Sequence, residues 1–60
     1  MTKRMKIIFR DENEITLEVT EEMCNNNIDN FKIGRVLHIV DIQNTHLLVY
    51  PKEIRCIRVM

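Results

Sequence analysis

Four side chains belong to the types that hold metals or act as nucleophiles: Cys24, His38, His46 and Cys56. They are separated by 13, 7 and 9 residues, whereas structural zinc sites use ligand pairs only roughly two to five residues apart. Neither cysteine lies in a recognisable nucleophile motif, and a single glycine leaves no glycine-rich loop for a phosphate. The sequence therefore predicts no catalysis, no cofactor and no metal centre.

The two histidines are expected to lie on one hairpin but apart from each other. The polar residues Gln43 and Asn44 predict the centre of a turn. That turn pairs His46 with Asp41 and leaves His38 several residues away along the ladder. We therefore expect each imidazole to be partly buried and hydrogen-bonded separately, as is common for a histidine with a structural role.

Charge is segregated along a chain whose formal net charge is zero. Residues 1–10 carry +4, residues 11–30 carry −7 and residues 31–60 carry +3. If the first and last strands pair, their cations gather into a basic strip that can bind phosphates, because clustered Lys and Arg release counterions. The predicted nucleic-acid-binding residues are Lys6, Arg10, Arg55 and Arg58, with Tyr50 as a platform for base stacking.

Six carboxylates within the twelve positions from Asp11 to Glu22 indicate a second class of function. Such a strip can occupy a basic groove on another protein, and small phage-borne inhibitors of nucleic-acid enzymes offer an analogy of size and charge. The predicted protein-binding residues are Glu12, Glu14, Glu18 and Glu22. A divalent metal held by Asp11, Asn13 and Glu14 is disfavoured, because these residues lack the spacing of a calcium loop and its glycine. Both charged strips also have a simpler explanation as solvated strand faces.

The chain has 60 residues and a mass of 7.2 kDa, which is enough for one small domain. Hydrophobic residues make up 45% and charged residues 30%, as in folded soluble domains. No apolar run approaches the roughly 18 residues of a membrane span, so we expect a cytoplasmic protein with reduced thiols. We expect a single domain over residues 1–60. Because Met5 could itself initiate translation, residues 1–4 are a candidate frayed tail of that domain.

The residue pattern predicts five strands. β-branched residues are abundant and alanine is absent, which favours strands over helices. Met5 to Arg10 and Ile15 to Thr20 alternate apolar and polar residues around a short polar break, which predicts a hairpin. Arg35 to Ile42, interpreted as a central strand, forms a second hairpin with His46 to Tyr50. After one tight turn, Ile54 to Val59 forms a short fifth strand.

The stretch between the two hairpins carries mixed signals. Thr20 can cap a helix, and apolar residues repeat at helical spacing from Cys24 to Phe31. Asn25 to Asn27 weaken a helix interior, because their side chains compete for backbone hydrogen bonds. We expect a short helical turn or an ordered loop at about residues 20–33.

The segment from Leu47 to Val59 resembles the strand, 3₁₀ turn and strand that end SH3-like small barrels, including LSm-type RNA-binding proteins. The N-terminal helix and RNA-binding loop motifs of LSm proteins are missing, so no residue takes a role from that family. The resemblance implies an architecture: a mostly β, five-stranded antiparallel small barrel or strongly curled sheet, with the first and last strands adjacent.

The small size of the core favours association with a second chain. Ile8, Leu48 and Ile54 have the parity of outward strand faces, where a monomer would leave them exposed to water. We therefore expect a homodimer or higher homo-oligomer. Its further partner is expected to be nucleic acid or a nucleic-acid-handling protein, and not a membrane.

Overall fold

A computed structural model describes residues 1–60. The elements follow in the order β1 Thr2–Phe9, β2 Glu14–Thr20, α1 Glu21–Lys32, β3 Leu37–Val40, β4 His46–Val49, a 3₁₀ turn Pro51–Glu53 and β5 Ile54–Val59. The strands form two antiparallel sheets, one with the order β2-β1-β5 and one containing β3 and β4. The protein is mostly β, as predicted, and its first and last strands are adjacent. Residues 2–4 belong to β1 and pair with the end of β2.

The two sheets do not close into a barrel. One backbone hydrogen bond joins β2 to the β3–β4 hairpin, from the amide of Ile42 to the carbonyl oxygen of Glu18 at 3.0 Å. Helix α1 follows β2 without an intervening loop and contacts β3. A helix and not a tight turn thus connects β2 to β3, and β3 does not pair along β2. It lies in a two-stranded sheet instead of forming the predicted central strand.

Helix α1 is longer than the predicted turn or loop, because its start is capped and its buried asparagine bonds to the helix itself. The Thr20 hydroxyl accepts a hydrogen bond from the amide of Met23 at 3.1 Å. Asn27 is buried, and its side-chain amide donates to the carbonyl oxygen of Met23 at 2.9 Å, one helical turn earlier. The Asn27 nitrogen therefore does not compete with the helix, while its Oδ1 has no partner.

Helix α1 ends two residues before the only glycine of the chain. Gly34 has φ +78°, a left-handed conformation that glycine adopts without steric cost. The amide of Gly34 donates to the carbonyl oxygen of Phe31 at 3.2 Å, and that of Arg35 donates to Asn30 at 2.8 Å. These two bonds form a Schellman motif, which satisfies the last carbonyls of the helix.

The turn between β1 and β2 is a three-residue loop, Arg10 to Glu12. The amide of Phe9 donates to the carbonyl oxygen of Asn13 at 2.8 Å, and the amide of Glu12 donates to Phe9 at 3.0 Å. Loops of this length place their last residue in the left-handed region, which is usually filled by glycine. Here Glu12 occupies it with φ 72°, at a steric cost of roughly 1–2 kcal/mol.

The turn between β3 and β4 has the same hydrogen-bond pattern. The amide of Asp41 donates to the carbonyl oxygen of Thr45 at 3.1 Å, and the amide of Asn44 donates to Asp41 at 2.9 Å. Asn44 takes the left-handed position with φ 64°. Asp41 Oδ1 also accepts bonds from the amides of Gln43 and Thr45, both at 2.9 Å. The loop is therefore Ile42 to Asn44, one residue longer than a two-residue turn.

A β-bulge interrupts the pairing of β1 with β5. Ile8 pairs with Cys56 and Phe9 pairs with Ile54, so Arg55 has no residue opposite it on β1. The extra residue reverses the facing of the strand beyond it. Ile54 therefore faces inward and is buried, and the prediction that it faces outward is wrong.

The core gathers residues from all five strands and from α1. Its buried hydrophobic members are Met5, Ile7, Val19, Cys24, Leu37, Ile39, Val49 and Ile54. Met5 and Ile7 confirm the inward parity predicted for the first strand. No helix has the length and apolar character needed to cross a membrane.

Candidate functional site

The predicted basic strip is partly assembled on the exposed face of the three-stranded sheet. Lys6 and Arg58 are cross-strand partners in the β1–β5 pairing. Arg4 lies two residues before Lys6 on β1 and shares its face. The structure thus places two of the four predicted cations side by side and adds Arg4. The sequence alone places Arg4 in a candidate tail, although its spacing of two residues from Lys6 indicates a shared strand face.

The other two predicted cations lie at the β1–β2 turn and the bulge, and both contact their own chain. Arg10 Nε donates a hydrogen bond to the carbonyl oxygen of Lys52 at 2.7 Å. Arg55 Nη1 lies 3.7 Å from Glu12 Oε1. Arg58, in contrast, is exposed and forms no ion pair. Among the four predicted cations, Arg58 is therefore the one most readily available to a ligand.

Acidic side chains share the face of Lys6. Lys6 Nζ lies 3.4 Å from Glu14 Oε1 on β2. Glu18 is the cross-strand partner of Arg4 and accepts a hydrogen bond from the Thr2 hydroxyl at 2.7 Å. Positive and negative residues are thus adjacent across β1 and β2. The segregation of charge along the sequence is only partly kept in space.

The four glutamates predicted to bind a protein fall into two groups. Glu12, Glu14 and Glu18 lie along the β1–β2 hairpin, whereas Glu22 lies in the first turn of α1. Asp11 lies next to them. Its carboxylate accepts hydrogen bonds from the backbone amide and from the side-chain amide of Asn13. Its carboxylate therefore belongs to the turn.

Tyr50 belongs to a different surface from the basic strip. It follows β4 with an extended backbone and is 60% exposed. Alternation along β4 places it on the same side as Leu48, in the β3–β4 region. The structure therefore does not bring Tyr50 together with Lys6 and Arg58.

The two histidines are in contact, contrary to the prediction. His38 Nε2 lies 2.9 Å from His46 Nδ1, and the ring centroids are 5.1 Å apart. Both side chains are exposed rather than partly buried. In the observed register His46 pairs with Val40, and His38 pairs with Leu48. The imidazoles are therefore diagonal neighbours on one face, within reach of each other.

The burial pattern could have given the correct register. The observed pairing sets Leu37 opposite Val49 and Ile39 opposite Leu47, so that four apolar residues share the inner face. A shift by one residue mixes the two faces, which a half-buried hairpin does not tolerate. The predicted register is wrong because a two-residue turn centred between Gln43 and Asn44 was expected, whereas the observed three-residue turn is centred on Gln43.

The outer face of the β3–β4 sheet carries no permanent charge. Its outward residues are His38, Val40, His46 and Leu48. Leu48 is 67% exposed, and Ile42 in the adjoining turn is 53% exposed. This uncharged outer face, defined by those four strand residues, is thus an exposed apolar surface with two imidazoles on it.

The two cysteines are free, and Cys24 is buried while Cys56 is partly buried. Burial is the main cause that raises the pKa of the Cys24 thiol; nearby Lys3 lowers this pKa and Glu21 raises it. A thiol with a raised pKa is a weak nucleophile near neutral pH. No three His, Cys, Asp or Glu side chains of one chain are grouped to hold a metal ion.

Comparison of the chain with known protein families, with curated proteins and with solved structures finds no match.

Proposed function

We propose that this protein is a small binding module, without catalytic activity, that contacts nucleic acid through Arg4, Lys6 and Arg58. The observation that carries this proposal is the pairing of β1 with β5, which makes Lys6 and Arg58 neighbours on an exposed sheet face. Arg10 and Arg55 supply further cations beside the β1–β2 turn. Clustered cations gain binding free energy by releasing the counterions of phosphates.

The ion pair between Lys6 and Glu14 does not prevent phosphate binding. Solvent-exposed ion pairs contribute only about 0–1 kcal/mol, because water screens the charges and ordering long side chains costs entropy. Lys6 can therefore exchange Glu14 for a phosphate oxygen. The same argument applies to Arg55 and Glu12, whose charged groups are 3.7 Å apart on the surface.

The test is the affinity for a labelled single-stranded oligonucleotide and for a duplex, measured by fluorescence anisotropy across a salt titration. About four phosphate contacts should give a log–log slope near −3 to −4 for the duplex. Arg58→Glu should weaken binding about tenfold or more, because it reverses the one charge of the Lys6–Arg58 pair that has no partner.

The matched control is Arg35→Glu, which makes the same change in net charge at an exposed residue between α1 and β3. It should reduce the affinity much less than Arg58→Glu does. Equal losses in the two variants would show that only the net charge matters and would contradict a site on the sheet. A flat response to salt would contradict phosphate binding altogether.

A second candidate function is capture of a basic protein surface by the acidic β1–β2 hairpin. The observation that favours it is that Glu12 and Glu14 already contact a guanidinium and an ammonium group of their own chain. Pull-down from nuclease-treated lysate separates the two candidates. A partner lost with Glu18→Lys and kept with Arg58→Glu supports the acidic hairpin, and the reverse result supports the basic strip.

A further inference from the structure

The uncharged outer face of β3 and β4 carries two imidazole nitrogens that point at each other. His38 Nε2 and His46 Nδ1 are 2.9 Å apart, and both side chains are exposed. A bond between them requires that one nitrogen carries a proton and that the other offers a lone pair. Without that proton both nitrogens offer lone pairs in the same region of the surface. Rotation of the two exposed rings can then direct both lone pairs at one metal ion that lies to the side of the line joining the nitrogens.

We propose that His38 and His46 bind a divalent transition metal such as Zn²⁺, and that the same two residues of a second copy complete the coordination. Imidazole nitrogens bind zinc at about 2.0–2.1 Å, which places two of them about 2.9 Å apart at a right angle and about 3.3 Å apart at the tetrahedral angle. The observed 2.9 Å lies at the lower end of this range. Small rotations of two exposed side chains supply the difference.

The site is incomplete in one chain. Zinc in a closed site takes four ligands, and one copy offers two imidazoles with no third His, Cys, Asp or Glu grouped beside them. A second copy related by a two-fold axis through the metal supplies the same pair again, since an isologous interface brings identical patches together. Four imidazoles then surround the ion.

The surroundings of the histidines suit a second copy of this chain. The outward strand residues beside them are Val40 and Leu48, and none of the four carries a permanent charge. Two copies can therefore approach without burying an unpaired charge, which would be costly. Contact would cover Leu48, which is 67% exposed. The metal ion and the apolar contact thus favour the same assembly.

This inference does not depend on nucleic-acid binding, because the basic strip lies on the other sheet. The two proposals therefore fail separately. Arg58→Glu leaves the histidines untouched, and substitution of the histidines leaves the β1–β5 pairing untouched.

The test is a titration of the full chain with ZnCl₂, followed by calorimetry and by light scattering on a sizing column. We expect one zinc ion per two chains and a doubling of the mass from 7.2 kDa. EDTA should restore the monomer. Cobalt(II) should replace zinc and give the strong visible absorption of a tetrahedral site, because coordination geometry sets the spectrum.

Single-residue variants identify the ligands. His38→Ala and His46→Ala should each lower zinc affinity at least about tenfold and abolish the doubling of mass, because each removes two of the four ligands from the dimer. Both residues are exposed, so circular dichroism should show unchanged folding. Cys56→Ser is the matched control for a competing thiol ligand, and it should leave the stoichiometry and the affinity unchanged.

Three results would overturn the proposal. Zinc bound at one ion per chain with no change in mass would contradict completion by a second copy. Affinity unchanged in both histidine variants would exclude the histidines as ligands. A dimer that forms without metal and resists EDTA would show that the apolar face associates by itself.

Discussion

The β1–β2 and β3–β4 hairpins are built on the same turn but present different surfaces. In both, the amide of the residue before the loop, Phe9 or Asp41, donates a hydrogen bond to the carbonyl oxygen of the residue four positions later. The third loop residue, Glu12 or Asn44, has a left-handed backbone conformation. The outward face of the first hairpin carries Arg4, Lys6, Glu14 and Glu18, whereas that of the second carries two histidines and two apolar residues.

In each hairpin the turn and the outward face have different roles. The turn fixes the register, and the register decides which residues become neighbours. In the first hairpin the neighbours are opposite charges, such as Lys6 and Glu14. In the second hairpin they are the two imidazoles. The same turn conformation thus occurs in two hairpins with different outward faces. The first face is suited to ionic ligands, and the second is suited to a metal ion and an apolar contact.

The largest expected difference between the hairpins lies in the aspartates that support their turns. Asp41 Oδ1 accepts two backbone hydrogen bonds, whereas Asp11 accepts one from the backbone and one from a side chain. Asp41→Ala should lower the free energy of unfolding by about 2 kcal/mol, and Asp11→Ala by about 1 kcal/mol, since bonds to a charged acceptor are the stronger ones. Urea denaturation measures both. Asp41→Asn keeps an acceptor oxygen and should lose less than half as much; an equal loss in Asp11→Ala and Asp41→Ala would contradict the asymmetry.

The second difference concerns the left-handed residues. Glu12→Gly should raise the free energy of unfolding by about 0.5–1 kcal/mol, because it removes the steric cost of φ 72°. Asn44→Gly should change it by only a few tenths of a kcal/mol, because asparagine tolerates this conformation.

Thermal unfolding of both glycine variants gives the comparison. Glu12→Gln is the control, because it removes the charge that faces Arg55 and keeps the strained backbone. It should not stabilise the protein. Stabilisation equal to that of Glu12→Gly would assign the effect to charge and not to backbone strain.

The smallest expected effect is the coupling of the ion pair on the first hairpin. A double-mutant cycle with Lys6→Gln and Glu14→Gln should give a coupling free energy of about 0.2–1 kcal/mol that decreases as salt is added. The outward strand residues of the second hairpin include no Lys, Arg, Asp or Glu, so a cycle between His38 and Leu48 should show little response to salt at neutral pH. The same salt response in both cycles would contradict the contrast between the two faces.

Local signals predicted several elements correctly. Met5 and Ile7 are buried as their alternation indicates, and Thr20 caps a helix as its position suggests. Features that depend on which side chains and strands contact each other within the chain were not predicted. The helix extends through Asn27 because that side chain bonds to the helix. Ile54 faces inward because a bulge at Arg55 shifts the register.

For the candidate sites too, some contacts were predicted from the sequence and others were not. The sequence identified Lys6 and Arg58 as neighbours once the terminal strands were assumed to pair, and the structure pairs those strands. It did not place Glu14 beside Lys6, because that contact depends on the register of β1 against β2 and not on spacing within one strand. It also separated His38 from His46, since an error of one residue in the turn changes every pair along the ladder.

The sequence by itself determined the preference for strands, the inward parity of β1 and the capping role of Thr20 at the start of α1, because these depend on residue type and on neighbours within a few positions. The tertiary structure alone decided that the sheets stay separate, that a bulge buries Ile54 and that two imidazoles meet. The physical reason is that strand register and sheet closure depend on which inner faces can be buried together. That choice is made by the whole core and not by any one segment.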